Sequence, residues 1–329
     1  MGKMRAIVAA GAGFAALAAW APEAGAETLK GYTYMPVVTH PVFQGLEQMA
    51  EEFAKATGDE TTIRMNTGGS LPISSTDITA AVGDGVIDIA SDGFFLGNIR
   101  VGGVLRLPLL IVTRDEYDIA ADIMRPFLEA ALDKQGVVLL GQYLYPLQVA
   151  FSAEELRSLD DLKGQKMRVT SPEQGEFVQR FGGVPVTIGA PEVPTSLQRG
   201  VVNGVFTASA GGGRTWKDML KYNYRLGPNY FNSLVVINKD VWEGLGAEKQ
   251  AALQAAATRA CATITDALFS QEAELTEQFA KEGMVITEPE AADITAASAK
   301  MADFWASWAE GVGPDAVEAL AKVREALGR

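Results

Sequence analysis

An order of secondary-structure elements occurs twice in this chain, and that repetition restricts its fold more than any other feature. Thr28 to Met35 alternates as a strand does, and His40-Pro41 then opens a helix, with proline in the first turn where its missing N–H costs nothing. Phe43, Leu46, Met49, Ala50 and Phe53 recur on one face of that helix, which ends near Thr57-Gly58. Thr61 to Asn66 reads as a second strand, about Ser74 to Asp84 as a second helix, and Val86 to Ala90 as a short buried strand behind Gly85. The order returns as a strand from Lys166 to Thr170, a helix from Pro172 to Phe181, a strand from Val184 to Ile188, a helix from Pro191 to Arg199 and a strand from Val201 to Thr207. Gly85-Val86-Ile87-Asp88 and Gly200-Val201-Val202-Asn203 hold equivalent places in the two halves. Strands alternating with helices imply largely parallel, doubly wound sheets. The expected fold class is therefore α/β, with two doubly wound lobes and a small-molecule cleft between them.

Length and composition agree with two packed domains: 329 residues, 48% hydrophobic and 21% charged. The 41 acidic against 28 basic side chains leave a net charge of -13, which repels a phosphate backbone, so no nucleic-acid partner is expected. His40 is the only histidine and Cys261 the only cysteine, so neither a histidine-rich metal site nor an internal disulfide is available. No metal, cofactor or catalytic residue is expected. His40 is read as part of the helix opening, and Cys261 as a small buried side chain.

At the N-terminus, Lys3 and Arg5 precede an apolar stretch, Ala6 to Ala21, that ends in Ala24-Gly25-Ala26. This pattern is that of a secretory signal, residues 1–26, cleaved before Glu27. The expected location is the periplasm, with a mature chain not embedded in the membrane. Gly11-Ala12-Gly13 imitates part of a dinucleotide fingerprint but falls within this segment and follows no strand. Gly211-Gly212-Gly213 lacks the Gly-Lys-Ser/Thr of a phosphate loop and is read as a flexible loop. Ala247 to Glu282 contains neither proline nor glycine, and Leu253, Ala257, Cys261, Ile264, Leu268, Leu275 and Phe279 recur at helical spacing. A single rod of roughly 54 Å would bridge both lobes. Periodicity alone allows two joined helices equally well.

Leu162-Lys163-Gly164-Gln165-Lys166-Met167-Arg168-Val169, then Gly182-Gly183-Val184-Pro185-Val186, then Glu192 to Gly204 together resemble the signature of the solute receptors of TRAP (tripartite ATP-independent periplasmic) transporters. Gly68-Gly69-Ser70-Leu71 and Gly83 to Ala90 resemble that family's first lobe. The resemblance implies a two-lobed, type II-like periplasmic binding protein that captures a small organic molecule. Its partners would be the small and large membrane subunits of a TRAP permease. The long helix resembles the spine helix of these receptors, which favours the single rod. The expected division places 27–147 and 236–265 in lobe I, and 148–235 and 266–329 in lobe II.

In the family, the arginine of the Lys-x-Arg strand grips the ligand carboxylate, and its match is Arg168. A planar guanidinium makes two parallel charge-assisted bonds to a carboxylate, which suits that role. The chain departs from many relatives at Pro194, at Asn203-Gly204 and at Thr207-Ala208, and it has Gln148 about where some acid-binding relatives have a second arginine. These departures argue against a dicarboxylate or sialic acid. Asp92 follows a first-lobe strand and could hold an ammonium group, so a small zwitterion stands beside a carboxylate-bearing acid. Ser171, Thr207, Ser209 and the aromatics Tyr34, Phe94, Tyr145, Trp216 and Phe231 complete the candidate ligand-binding set. Two alternatives stay open: the binding protein of an ABC importer or a sensor, and an exported carboxylate-dependent enzyme. Against an enzyme, the single histidine and the absence of a Gly-x-Ser-x-Gly elbow leave no visible nucleophile and base.

Overall fold

The structure, a computed structural model, describes residues 27–329, so the segment read as an export signal lies outside the described residues. The first half runs β1 (Glu27–Thr33), α1 (Pro41–Ala56), β2 (Thr61–Asn66), α2 (Ile78–Gly83) and β3 (Ile89–Asp92), followed by α3 (Arg114–Asp133) and β4 (Val137–Ser152). The second half repeats the order in β5 (Lys166–Val169), α4 (Pro172–Arg180), β6 (Val184–Thr187), α5 (Val193–Gln198) and β7 (Gly204–Thr207). Then come α6 (Arg214–Trp216), β8 (Tyr222–Asn238), α7 (Lys239–Lys281), β9 (Val285–Thr287), α8 (Ala291–Met301), α9 (Phe304–Val312) and α10 (Pro314–Leu327). Among these described residues, no helix is long and apolar enough to cross a membrane.

Each half contributes three parallel strands, β2-β1-β3 and β7-β5-β6, as the repeated order requires. The long strands β4 and β8 pair antiparallel and run from one set to the other, joining both lobes into one sheet. Their register shifts between Tyr145 and Gln148 and again between Gln148 and Ala150. Such bulges bend a strand and add local twist, and these lie midway between the lobes.

The starts of two strands differ from the expected ones, in the same way in both halves. Val86 and Val201 were placed in strands, yet they are 55% and 46% exposed, and the strands begin only at Ile89 and Gly204. Gly85 and Gly200 take left-handed φ values of 69° and 67°. A glycine there ends the helix and starts a turn, so the residue after it faces solvent.

Helix α7 is one rod after a break at Gly246, where φ is 75° and ψ 162°. Its Leu253, Ala257, Cys261, Ile264 and Leu268 enter the core of the first lobe, and Phe279 enters that of the second. Each large side chain removed from water contributes about 1.5–3 kcal/mol, so the helix is anchored at both ends. Burial pushes the Cys261 thiol up to about 12, as expected for an inert core cysteine. The sequence reading placed 266–329 with lobe II. Helix α10 instead buries Ala316, Ala319, Leu320 and Val323 in the first-lobe core, whereas Ala297 and Met301 of α8 pack in the second.

A candidate ligand cleft between the lobes

The strands of both halves end at one crevice, where doubly wound sheets expose loops and backbone to a ligand. Tyr34 to Val37 follow β1, and Phe94 follows β3. Tyr145 and Gln148 stand on β4 and Phe231 on β8. Arg168, Thr170 and Thr207 lie at the ends of β5 and β7, and Ala190, Gly211, Gly212, Thr215 and Trp216 close the far side. The cavity is about 40 Å3, room for a few water molecules, and is partly open.

Its walls are chiefly aromatic. Phe231 meets Tyr145, Tyr34 and Phe94 edge-to-face, with ring centres 5.3, 6.0 and 6.1 Å apart. This is the geometry that the ring quadrupoles favour. Gly93 packs beneath them. A Cβ there would come within 2.6 Å of Phe231 and 2.9 Å of Tyr34, so the chain can pass only as glycine. Tyr143 donates a hydrogen bond to the Tyr34 hydroxyl (3.3 Å), and Tyr34 donates to Tyr145 (2.9 Å). Tyr145, last in that order, lines the cleft. Burial holds all three phenols well above the usual tyrosine range, so they stay protonated donors.

Arg168 is the only charged residue among those lining the cleft. It is 3% exposed, with its guanidinium 5.7 Å from the Phe94 ring centre and 5.4 Å from that of Trp216. Nε donates to the Ile188 carbonyl (2.9 Å) and Nη1 to the Phe206 carbonyl (3.3 Å). It forms no ion pair with a carboxylate among the described residues. Burial pushes its pKa down to about 10, which leaves it cationic at neutral pH. A buried cation facing a cavity and lacking a counter-ion gains most from an incoming anion.

Eight of the eleven expected site residues meet here: Tyr34, Phe94, Tyr145, Gln148, Arg168, Thr207, Trp216 and Phe231. Asp92, Ser171 and Ser209 do not line the cavity. Asp92 is fully buried: Oδ2 accepts from the Thr79 backbone (3.1 Å) and hydroxyl (2.7 Å), and Oδ1 from the Phe94 backbone (2.7 Å). It shapes the turn that carries Phe94 and does not line the cavity. Burial raises its carboxyl to about 6, although these donors oppose the shift. Ser171 caps α4, and Ser209 bonds Thr276 of the spine helix. His40 caps α1 through Nδ1.

The flexible-loop reading of Gly211 to Gly213 is corrected. Ser209, Ala210, Gly211 and Gly213 are buried in a tight turn, and a Cβ on Gly212 would come within 2.1 Å of the Trp216 ring. Close approach, not mobility, requires these glycines. Met35, Pro36, Val37, Thr170, Ala190, Gly211, Gly212 and Thr215 line the cleft without having been foreseen. Thr170, two residues after Arg168, carried a usable signal by position. Ala190 and the glycines contribute backbone and carry none.

Two α/β lobes joined by crossover strands, with a small cleft between them lined by one buried cation, have the architecture of a small-molecule binding protein. The chain belongs to family 7 of the bacterial extracellular solute-binding proteins (DctP), whose sequence profile matches residues 34–311. Its fold is similar to that of DctP7, a Bordetella pertussis extracytoplasmic solute receptor binding pyroglutamic acid, with a TM-score of 0.84 and 26% identity over 91% of this chain and 100% of that one. A TRAP periplasmic solute-binding protein from Sulfitobacter with bound β-D-galacturonate shares the fold at TM-score 0.82 and 20% identity, covering 91% and 100%. The ectoine-binding periplasmic protein TeaA of Halomonas elongata is 29% identical over 139 residues, 39% of this chain and 38% of TeaA. The chain aligns with about half or less of the length of the curated relatives it matches. The TRAP-receptor resemblance and the two-lobed α/β expectation both hold.

Proposed function

We propose that this protein is a periplasmic receptor that captures one small monocarboxylate per chain and delivers it, unconverted, to a TRAP permease of small and large membrane subunits. The observation that carries the ligand class is the unpaired Arg168 guanidinium on the wall of an otherwise uncharged aromatic cleft. Arg168 and the Tyr145 hydroxyl would both donate to the carboxylate, while Gln148 and Thr207 supply polar contacts and Tyr34, Phe94, Trp216 and Phe231 enclose an uncharged body. No aspartate or glutamate lines the cleft to match an ammonium group. That favours an acid with a neutral body over a zwitterion, and a second carboxylate would lack a cation.

The small cavity means that access requires the lobes to part, and the bulged segments of β4 and β8 are the proposed hinge. The same bulges support lobe boundaries near Tyr145 to Ala150 and Tyr224 to Phe231, with α10 assigned to lobe I. Export and removal of residues 1–26 complete the reading. A thermal-shift and calorimetric screen of neutral-bodied monocarboxylates such as L-pyroglutamate, of amino acids and of amines tests it. Monocarboxylates should stabilise the protein by about 2.7 kcal/mol at a hundredfold excess over Kd and be recovered chemically unchanged. Stabilisation by amines or amino acids alone, or turnover of the bound acid, would overturn it.

A further inference from the structure

Behind the cleft lies an ion pair that no lining residue includes. Glu272 of the spine helix and Arg225 of β8 are paired at 3.0 Å, with side chains only 13% and 16% exposed. Glu272 also accepts from the backbone of Ser209 (3.2 Å, to Oε1) and of Ala210 (2.8 Å, to Oε2). Arg225 Nη1 donates to the hydroxyls of Ser209 and Thr276, each at 3.2 Å. On the neighbouring residue of the helix, Gln271 accepts from Arg214 Nη1 at 2.7 Å. The bonds from Glu272 and Arg225 to Ser209 and Ala210 hold the start of the turn Ser209–Gly213, whose Gly211 (φ -87°, ψ -124°) leaves helical geometry.

The other side of that turn faces the cleft. The Gly212 N–H donates to Thr207 Oγ1 at 2.9 Å, Gly211 and Gly212 line the cavity, and the Trp216 ring rests on Gly212 beside Arg168. A largely buried ion pair adds little net stability compared with apolar residues of similar size, because both charges lose much of their hydration. What the pair does supply is direction: a carboxylate with two oxygens fixed on two successive N–H groups sets the path of the turn.

We propose that Glu272 is a positioning residue for ligand capture, holding Thr207 and Trp216 through the 209–213 turn so that Arg168 meets the carboxylate in a fixed frame. This rests on the cleft reading above. The experiment uses the full-length mature protein, L-pyroglutamate as probe, and 5-fluorotryptophan labelling with the Trp216 signal assigned by Trp216→Phe. Glu272→Gln should raise Kd about tenfold or more, mainly through faster dissociation. It should also shift the Trp216 fluorine resonance in the ligand-free protein while those of Trp242, Trp305 and Trp308 stay in place. The double variant Glu272→Leu/Arg225→Met, which removes both charges but also the acceptor of the Ser209 and Ala210 N–H groups, should recover part of the melting temperature lost in Glu272→Gln but not the affinity.

Affinity that returns together with stability in the double variant would reduce Glu272 to an ordinary structural contact and overturn the proposal. So would Glu272→Gln with Kd within about twofold of wild type and an unmoved Trp216 signal. Arg168→Ala, measured alongside, separates the two ideas. If it abolishes binding while Glu272→Gln does not, positioning fails and the cleft reading stands. If it leaves binding intact, the cleft reading fails and takes this proposal with it. Should the wild-type protein not bind L-pyroglutamate, the Trp216 shift in the ligand-free variants decides, and its absence overturns the proposal.

Discussion

Arg106 and Arg168 look alike by every local measure, yet the structure uses them differently. Both are buried, both lie beside two aromatic rings, and burial pushes both down to about 10. Arg106, under the first lobe's half of the cleft, donates from Nε to Asn232 Oδ1 (3.0 Å) and from Nη2 to the carbonyls of Gly93 (2.8 Å) and Asn232. Its Nη1 has no direct partner, and Glu173 is the charge that most favours its cationic form. Arg168, in the second lobe, lines the cavity and spends fewer bonds on the protein. Burial and aromatic neighbours therefore do not identify a ligand anchor. Donor capacity directed into a cavity is what sets Arg168 apart as the proposed anchor.

The largest expected effect tests the second arginine. Arg168→Ala should weaken binding of a monocarboxylate by about 2–5 kcal/mol, roughly thirtyfold to several thousandfold, with a smaller loss of stability than Arg106→Met because water in the cleft can reach the freed Ile188 and Phe206 carbonyls. Arg168→Lys should recover only part, since a point charge cannot form the two-pronged contact. Calorimetric titration checks both. Affinity close to wild type in Arg168→Ala would erase the distinction between the two arginines.

Arg106→Met is the mirror experiment. It strands the Gly93 and Asn232 carbonyls in the core and should cost about 3 kcal/mol or more of stability in urea unfolding, with a smaller loss of affinity in the folded fraction. Lost binding at unchanged stability would move Arg106 into the site.

Acid titration sharpens the contrast between groups that serve the fold and groups that serve the ligand. His40 is held down to about 4, chiefly by burial and then by Arg214. Between about pH 6.5 and 4 the unfolded chain binds a proton that the folded chain refuses, so this group lowers stability as pH falls, by on the order of 3 kcal/mol. Asp92, raised to about 6 from 3.8, takes its proton earlier in the folded chain and raises stability over much of the same window. The two slopes oppose each other. His40→Asn keeps a helix-capping acceptor and should expose the Asp92 slope, so that urea unfolding shows stability rising from about pH 6 to 4. A stability that still falls in that variant would contradict the assignment.

The smallest effect belongs to Asp92→Asn. It should cost about 1–3 kcal/mol of stability through a lost acceptor at Thr79 or Phe94 and leave acid affinity nearly unchanged. A loss of affinity confined to amine-bearing ligands would return Asp92 to the cleft.

Local patterning was enough to read the repeated strand and helix order, the face of α1 and the helical spacing along α7, because hydrophobic period and glycine punctuation act over a few residues; that α7 is one rod was favoured only by the family resemblance. The same locality explains the shared misplacement at Val86 and Val201. An apolar residue behind a glycine reads as strand, and only packing shows that nothing covers it. Arg168 was legible through its motif, and the aromatics through their places at strand ends. The sequence alone thus determined the α/β class and the two lobes, and its family motif pointed to the bridging helix and to Arg168, which lines the cleft. Tertiary structure alone decided which polar groups remain available to a ligand. Asp92 is taken by Thr79 and Phe94, Ser209 by Thr276, and Glu272 by a guanidinium 47 residues away in the chain. A buried polar atom must find its partners wherever the fold brings them, and that distance in sequence is what local patterns cannot encode.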